Sequence, residues 1–207
     1  MPYLEASVRH RQFVAAARTA LARDGVGRTS LRAVAAEAGV PLGTLQYVFP
    51  SKELLLRAVI EEVIEETAEA LRAAADLDGG LEQALRRGVA GFWARLVEGR
   101  SGLQVMQYEL THHSVRTAGM ESLARWQYER YTAVVADWCQ QAAQRAEETC
   151  AVPFAQLARL MVASLDGLIM QYVCDPHPAR SRQDLEAITE MLVSLAGVRR
   201  DPGTVTG

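Results

Sequence analysis

Apolar positions along this chain recur at the three- and four-residue spacing of helices, and no run of them alternates with the period of a strand. Phe13, Val14, Ala17, Ala20 and Leu21 form one stripe with Arg9, Arg11 and Arg18 among the intervening positions, which predicts an amphipathic helix over about 7–23. Gly25 and Gly27 end it. Thr29 and Ser30 then offer N-cap oxygens to a short helix over 31–38, which Gly39 stops. After Val40 and Pro41 a second short helix covers 42–48, and Pro50 and Ser51 separate it from a long helix that starts at Lys52 and reaches about residue 75. Beyond a linker at 76–80, the same spacing predicts helices near 81–97, 103–113, 114–148, 154–173 and 182–196, and a frayed tail over 198–207. The join at 113–119 is the least marked boundary.

Composition agrees with an all-α chain. Of 207 residues, 49% are hydrophobic, and Gly and Pro are few. The most apolar stretch, 154–174, carries Arg159, Asp166 and Gln171, which suits a buried helix better than a membrane span. No basic start followed by an apolar core marks a leader, so a cytoplasmic protein with no membrane contact is expected. Cys139, Cys150 and Cys174 have no metal-ligand spacing and are odd in number, which argues for core thiols rather than a disulfide framework. If one helix carried Cys139 and Cys150, they would lie roughly 16 Å apart.

The net charge of −3 hides an asymmetry: residues 1–57 carry +4 and the remainder −7. A basic first quarter on an acidic body suits a small nucleic-acid-binding module. The two short helices around Gly39 have the spacing of a helix-turn-helix. Gly39 permits a left-handed corner, Pro41 fits a first helical turn, and Gly43 lets the second helix approach bases or phosphate closely. Leu45 and Phe49, four apart, face inward, leaving Leu42, Thr44, Gln46 and Tyr47 toward a groove. Lys52, the only lysine in the chain, sits in the first turn of a helix, where a cation is disfavoured unless an anion lies nearby.

From Arg11 to Leu55 the sequence resembles the DNA-binding domain of the TetR family of repressors. The residues that carry the resemblance are Ala15-Ala16, Leu21, Gly25, Thr29-Ser30-Leu31, Val34-Ala35, Glu37-Ala38-Gly39-Val40, Gly43-Thr44-Leu45, Tyr47 and Phe49-Pro50-Ser51-Lys52-Glu53-Leu54-Leu55. The resemblance implies a three-helix DNA-binding domain over 1–52, a larger helical domain for ligand binding and dimerisation over 53–197, and about nine helices in all. It also implies that Lys52 grips phosphate together with Tyr47 and a hydroxyl from Thr29 or Ser30. Arg32 reaches phosphate or base, or forms a surface salt bridge. The family often has tyrosine where this chain has Gln46, and Gln reads adenine or binds phosphate, so the operator sequence stays open.

By the same resemblance the later helices build a homodimer and an effector cavity. Leu157, Met161 and Leu165 stripe one helix, and Leu185, Ile188, Met191, Leu192 and Leu195 the next; these are the expected dimer contacts, with Gly167 allowing close crossing. Trp93, Met106, Tyr108, Glu109, His112, Trp126, Tyr131 and Leu168 are the candidates for touching a small-molecule effector. Glu109 or Asp166 among aromatics would favour a cation, although planar acids and lipophilic neutrals fit as well. Glu109 and His112 have half the spacing of a di-metal carboxylate site, but the other histidines, His10, His113 and His177, lie in no second motif. With no Gly-rich phosphate loop or nucleophile elbow either, neither catalysis nor a cofactor is expected.

The expectation is therefore a repressor that holds a near-palindromic duplex operator as a dimer, with recognition helices about 34–36 Å apart, and lets go when an effector shifts the helix that starts at Lys52. A helical sensor acting through protein partners, and an activator of the same fold, remain as rivals.

Overall fold

The computed structural model describes residues 2–74, 79–98 and 100–200. Among them nine α-helices run in the order α1 (Pro2–Asp24), α2 (Leu31–Glu37), α3 (Leu42–Val48), α4 (Lys52–Ala74), α5 (Gly80–Phe92), α6 (Ser101–Arg116), α7 (Glu121–Arg145), α8 (Phe154–Cys174) and α9 (Pro178–Ala196). A π-helical turn, Trp93–Val97, follows α5 directly. Two strands of two residues each, β1 (Glu148–Thr149) and β2 (Arg199–Arg200), pair antiparallel.

The chain forms two compact units. The first takes residues 1–65 and 102–127, the second 66–101 and 128–207. In the first, α1 packs on α2 and α2 on α3 around Phe13, Ala17, Leu21, Val34 and Leu45, all essentially without exposure. Ser30 caps α2 by accepting from the Ala33 amide at 3.2 Å. Gly39 has φ +68°, so the corner between α2 and α3 is made in the left-handed region, where a side chain is costly. The Val40 amide then donates back to the Ala35 carbonyl at 3.0 Å, closing the turn. His10 meets Phe49 at a tilt with 4.9 Å between ring centroids, and Arg23 bridges Asp24 and Glu37, tying the end of α1 to the end of α2.

In the second unit α8 packs on α9, and α5 on α9. The Glu148 carboxylate accepts from the Leu81 amide at 2.7 Å, placing a negative charge at the N-terminus of α5. Helix α8 has the length and apolarity of a membrane span, with a mean hydropathy of 1.3, yet its Leu157, Ala158, Met161, Leu165, Leu168, Ile169 and Tyr172 lie buried in this unit.

Several sequence expectations change. Helix α9 begins at Pro178 rather than near 182, because Pro at N1 needs no amide partner and the His177 ring accepts from the Arg180 amide. The stretch expected as one helix over 114–148 is divided at 117–120, with Gly119 at φ +85°. Cys139 and Cys150 do not share a helix, since α7 ends at Arg145; Cys139 is buried, Cys150 partly so, and Cys174 exposed. The tail expected to fray from 198 is held at Arg199 and Arg200 by pairing with β1, and the Ala151 amide donates to the Ala196 carbonyl at 2.7 Å. Residues 201–207, and most of the linker at 76–80, lie outside the described residues.

Candidate nucleic-acid interface

Helix α3 divides into two faces as its spacing requires. Leu45 is fully buried and Phe49, at its C-cap, nearly so, which anchors the helix from below. Gly43, Gln46 and Tyr47 are exposed, Leu42 and Thr44 partly so, and Tyr47 stands 89% exposed, far more than a tyrosine with a packing role. A Cβ at Gly43 would meet nothing within 4 Å, so the surface there is open to close approach. Arg32 on α2 is exposed as well.

The hydroxyl pair at 29 and 30 separates. Thr29 is only 4% exposed, and its Oγ1 donates to the Gly25 carbonyl at 2.8 Å, so this residue is turned into the core and has no surface to give a phosphate. Ser30 is exposed, and while its Oγ accepts from the Ala33 amide, a hydroxyl can still donate its own hydrogen. Of the two alternatives in the sequence, Ser30 keeps the geometry for an anion.

Lys52 is not a free surface amine. Its Nζ donates to the Val26 carbonyl at 2.6 Å, and partial burial pushes its pKa down. The amide of the same residue, Val26, donates to Oε2 of Glu109 on α6 at 3.0 Å. Val26 itself is buried, so the corner between α1 and α2 is held at its side chain, its N–H and its C=O. Glu109, one of the effector candidates, has its carboxylate against the 25–26 backbone, where a Cβ on Gly25 would come within 3.1 Å of Oε2. Glu109, His112 and His113 together with residues 24–28 line a groove of about 340 Å³. Burial and the Lys52 charge push the His113 imidazole down, which favours its neutral form beside the ammonium.

The remaining effector candidates are divided between the units. Met106, Tyr108, His112 and Trp126 belong to the first unit with Glu109, whereas Trp93, Tyr131 and Leu168 belong to the second. Met106 is buried and His112 exposed. Trp126 receives the Arg57 guanidinium over its ring at 4.3 Å, a cation–π contact within the chain. In the second unit Trp93, on the π-helical turn, meets Tyr172 edge-on at 5.4 Å, and Tyr131 meets Tyr128 edge-on at 6.1 Å. The Tyr128 hydroxyl bonds to Asp166 of α8; burial raises the Asp166 carboxyl above the usual range, and the Tyr128 phenol is raised by burial and by that carboxylate. Among the described residues no group of three His, Cys, Asp or Glu is placed to hold a metal ion.

The stripes expected at a dimer contact are largely the second unit's own core. Leu157, Met161, Leu165, Leu185 and Leu192 are buried within the single chain. Ile188 and Leu195 are half-buried, and Met191 is 65% exposed. Leu160 and Met170 on α8 are also open. Both faces of α8 carry apolar residues, so heptad-like spacing alone does not separate the residues this chain buries from those it leaves open.

A three-helix head with an exposed short helix over a buried anchor, joined to a larger helical unit, defines the helical DNA-binding transcriptional regulators. Residues 13–59 match the family of bacterial regulatory proteins of the tetR type, and residues 82–197 match the tetracyclin repressor-like C-terminal domain. The chain belongs to the TetR family of transcriptional regulators. It is similar to the HTH-type nicotine-responsive transcriptional repressor HdnoR of Paenarthrobacter nicotinovorans, 25% identical over 190 residues, which covers 92% of this chain and 96% of that protein. Among solved structures it is similar to a TetR-family regulator from a Rhodococcus species, with a TM-score of 0.75 at 21% identity over 92% of this chain and 99% of that one. It is also similar to the multidrug binding protein EbrR complexed with ethidium, with a TM-score of 0.64 at 26% identity over 91% and 98% of the two chains.

Proposed function

We propose that this regulator is a cytoplasmic repressor that binds a near-palindromic operator as a homodimer and releases it when a small organic cation binds the second unit. The observation that carries the DNA half is the outer face of α3: Gln46 and Tyr47 project from a helix whose Leu45 and Phe49 are locked beneath it. Ser30, Arg32, Leu42, Gly43, Thr44 and Lys52 surround that face, with phosphates falling to Ser30, Tyr47 and Lys52 and base edges to Thr44 and Gln46. Residues 53–197 then serve effector binding and dimerisation. The partner subunit meets α8 and α9 through the faces that one chain leaves open, at Leu160, Met170, Ile188, Met191 and Leu195.

The cation is supported by the chemistry around Asp166. Asp166 is half-buried and bonded to the Tyr128 hydroxyl, and the Tyr128 ring, with Tyr131 edge-on to it, brings aromatic faces that attract cations close to a carboxylate. HdnoR is described as nicotine-responsive and EbrR is complexed with ethidium, both of which are amines or organic cations. The effector biases two states of the dimer, and a differential affinity of about 1–3 kcal/mol corresponds to roughly 5- to 150-fold weaker operator binding.

The test uses duplexes from the DNA flanking the gene and fluorescence anisotropy. Wild type is expected to select one near-palindromic duplex and to release it on titration with ethidium or nicotine. Lys52→Ala should bind more weakly with a shallower salt dependence. Failure of the wild type to prefer any duplex would instead favour a sensor acting through protein partners.

A further inference from the structure

We infer that Glu109, reaching from α6 to the Val26 amide, is a positioning residue for DNA binding: it fixes the α1–α2 corner whose carbonyl in turn holds the Lys52 ammonium at the start of α4. The inference rests on the operator-binding reading of Lys52 given above. Two residues that look unrelated in the sequence, 57 positions apart, converge on the two backbone polar groups of one buried residue, at 3.0 Å from Glu109 and 2.6 Å from Lys52. The corner has little other freedom. Gly25 holds φ +79°, its carbonyl accepts from the Thr29 hydroxyl, and its amide donates to the Leu21 carbonyl at 2.9 Å.

Lys52 keeps two further ammonium protons beyond the one given to Val26, and an ammonium anchored by one bond presents the others in a fixed direction. That pre-ordering reduces the side-chain entropy a long lysine loses on meeting a phosphate. Without Glu109, the Val26 amide loses its acceptor, the corner relaxes toward the open groove beside it, and the lysine's anchor moves with it. The groups facing this corner are Asp24, Arg28, Lys52, Glu109, His112 and His113.

Electrostatics alone gives the opposite prediction, which makes the inference separable. Glu109 is an exposed anion in a unit proposed to bind a polyanion, so simple removal of its charge strengthens DNA binding. The experiment compares wild type, Glu109→Ala and Glu109→Gln on the duplex the wild type selects, with affinity measured across salt concentrations and folding checked by circular dichroism. Gln keeps an acceptor oxygen for the Val26 amide and should bind at least as tightly as wild type with an unchanged salt slope. Ala should bind roughly tenfold more weakly, with a log–log salt slope shallower by about 1.8 as one phosphate contact is lost from each subunit of the dimer. If Ala binds as wild type does, loses affinity with no change of slope, or is matched by Gln in its loss, the inference is overturned. A wild type that selects no duplex would instead overturn the operator-binding reading itself.

Discussion

Gly88 sits inside α5, buried, with the indole of Trp138 laid against it. A methyl group at this position would lie 2.5 Å from Trp138 Cζ2 and in similar overlap with Cη2, where carbon atoms need about 3.5–4.0 Å. The ring must therefore retreat by about 1 Å. Trp138 is 4% exposed, so it cannot swing into solvent, and a fused ring has no flexible end to fold away. In an open helix, alanine for glycine gains about 1 kcal/mol. Overpacking of a filled core costs typically about 1–3 kcal/mol, and a 1 Å displacement of a buried indole belongs at the upper end. Gly88→Ala should then lose about 2 kcal/mol net, a fall of roughly 4–8 °C in Tm for a chain of this size. Thermal melts followed by circular dichroism at one protein concentration measure it, with Gly43→Ala as the comparison, since a methyl there meets open space and should raise Tm. A Gly88→Ala protein that melts at or above wild type would refute the packing argument.

Three further outcomes follow from particular contacts. Thr29→Val removes a buried hydroxyl bonded to the Gly25 carbonyl and should cost about 1 kcal/mol of stability, while operator affinity and salt slope stay unchanged; a loss of phosphate-dependent affinity would return Thr29 to the interface. Asp166 has a carboxyl raised by burial, so its contribution to stability is full below the unfolded carboxylate range near pH ~3.9 and is lost as pH rises through the raised value. Asp166→Asn should accordingly melt higher than wild type at pH 7, with the gap closing toward pH 4, and should lose its response to ethidium; a lower Tm at pH 7 would contradict the desolvation argument. Met191→Asp places a charge on the open face of α9 and should shift sedimentation from dimer to monomer, whereas an unchanged sedimentation coefficient would move the subunit contact elsewhere.

The head of the molecule was largely legible in the sequence, because its determinants are local. Gly39 needs a left-handed corner, Leu45 and Phe49 need one face, and Ser30 needs a helix to cap; each can be read within ten residues. The inward turn of Thr29 was not, since threonine and serine are equivalent as caps until the backbone at Gly25 presents a carbonyl to one of them. The meeting of Glu109 and Lys52 at Val26 carries no periodic signal at all: α6 returns to α1 across a distance in sequence that no spacing rule spans. The buried and open faces of α8 and α9 are not separable by spacing for a different reason. Leu160 and Leu157 differ by three positions, and which one a helix buries depends on neighbours that arrive from elsewhere in the chain.

Lys52 has one more consequence. A chain with a single lysine has a single ε-amine, so apart from the amino terminus every amine-directed reagent reports on one position. That amine is partly buried and its pKa is lowered, which leaves a larger neutral, nucleophilic fraction near neutral pH than an ordinary surface lysine has. Acylation by an activated ester is thus a one-site footprint: its rate reads the Val26 contact in the free protein, and the protection DNA confers reads the phosphate grip, without a label or a mutation being introduced.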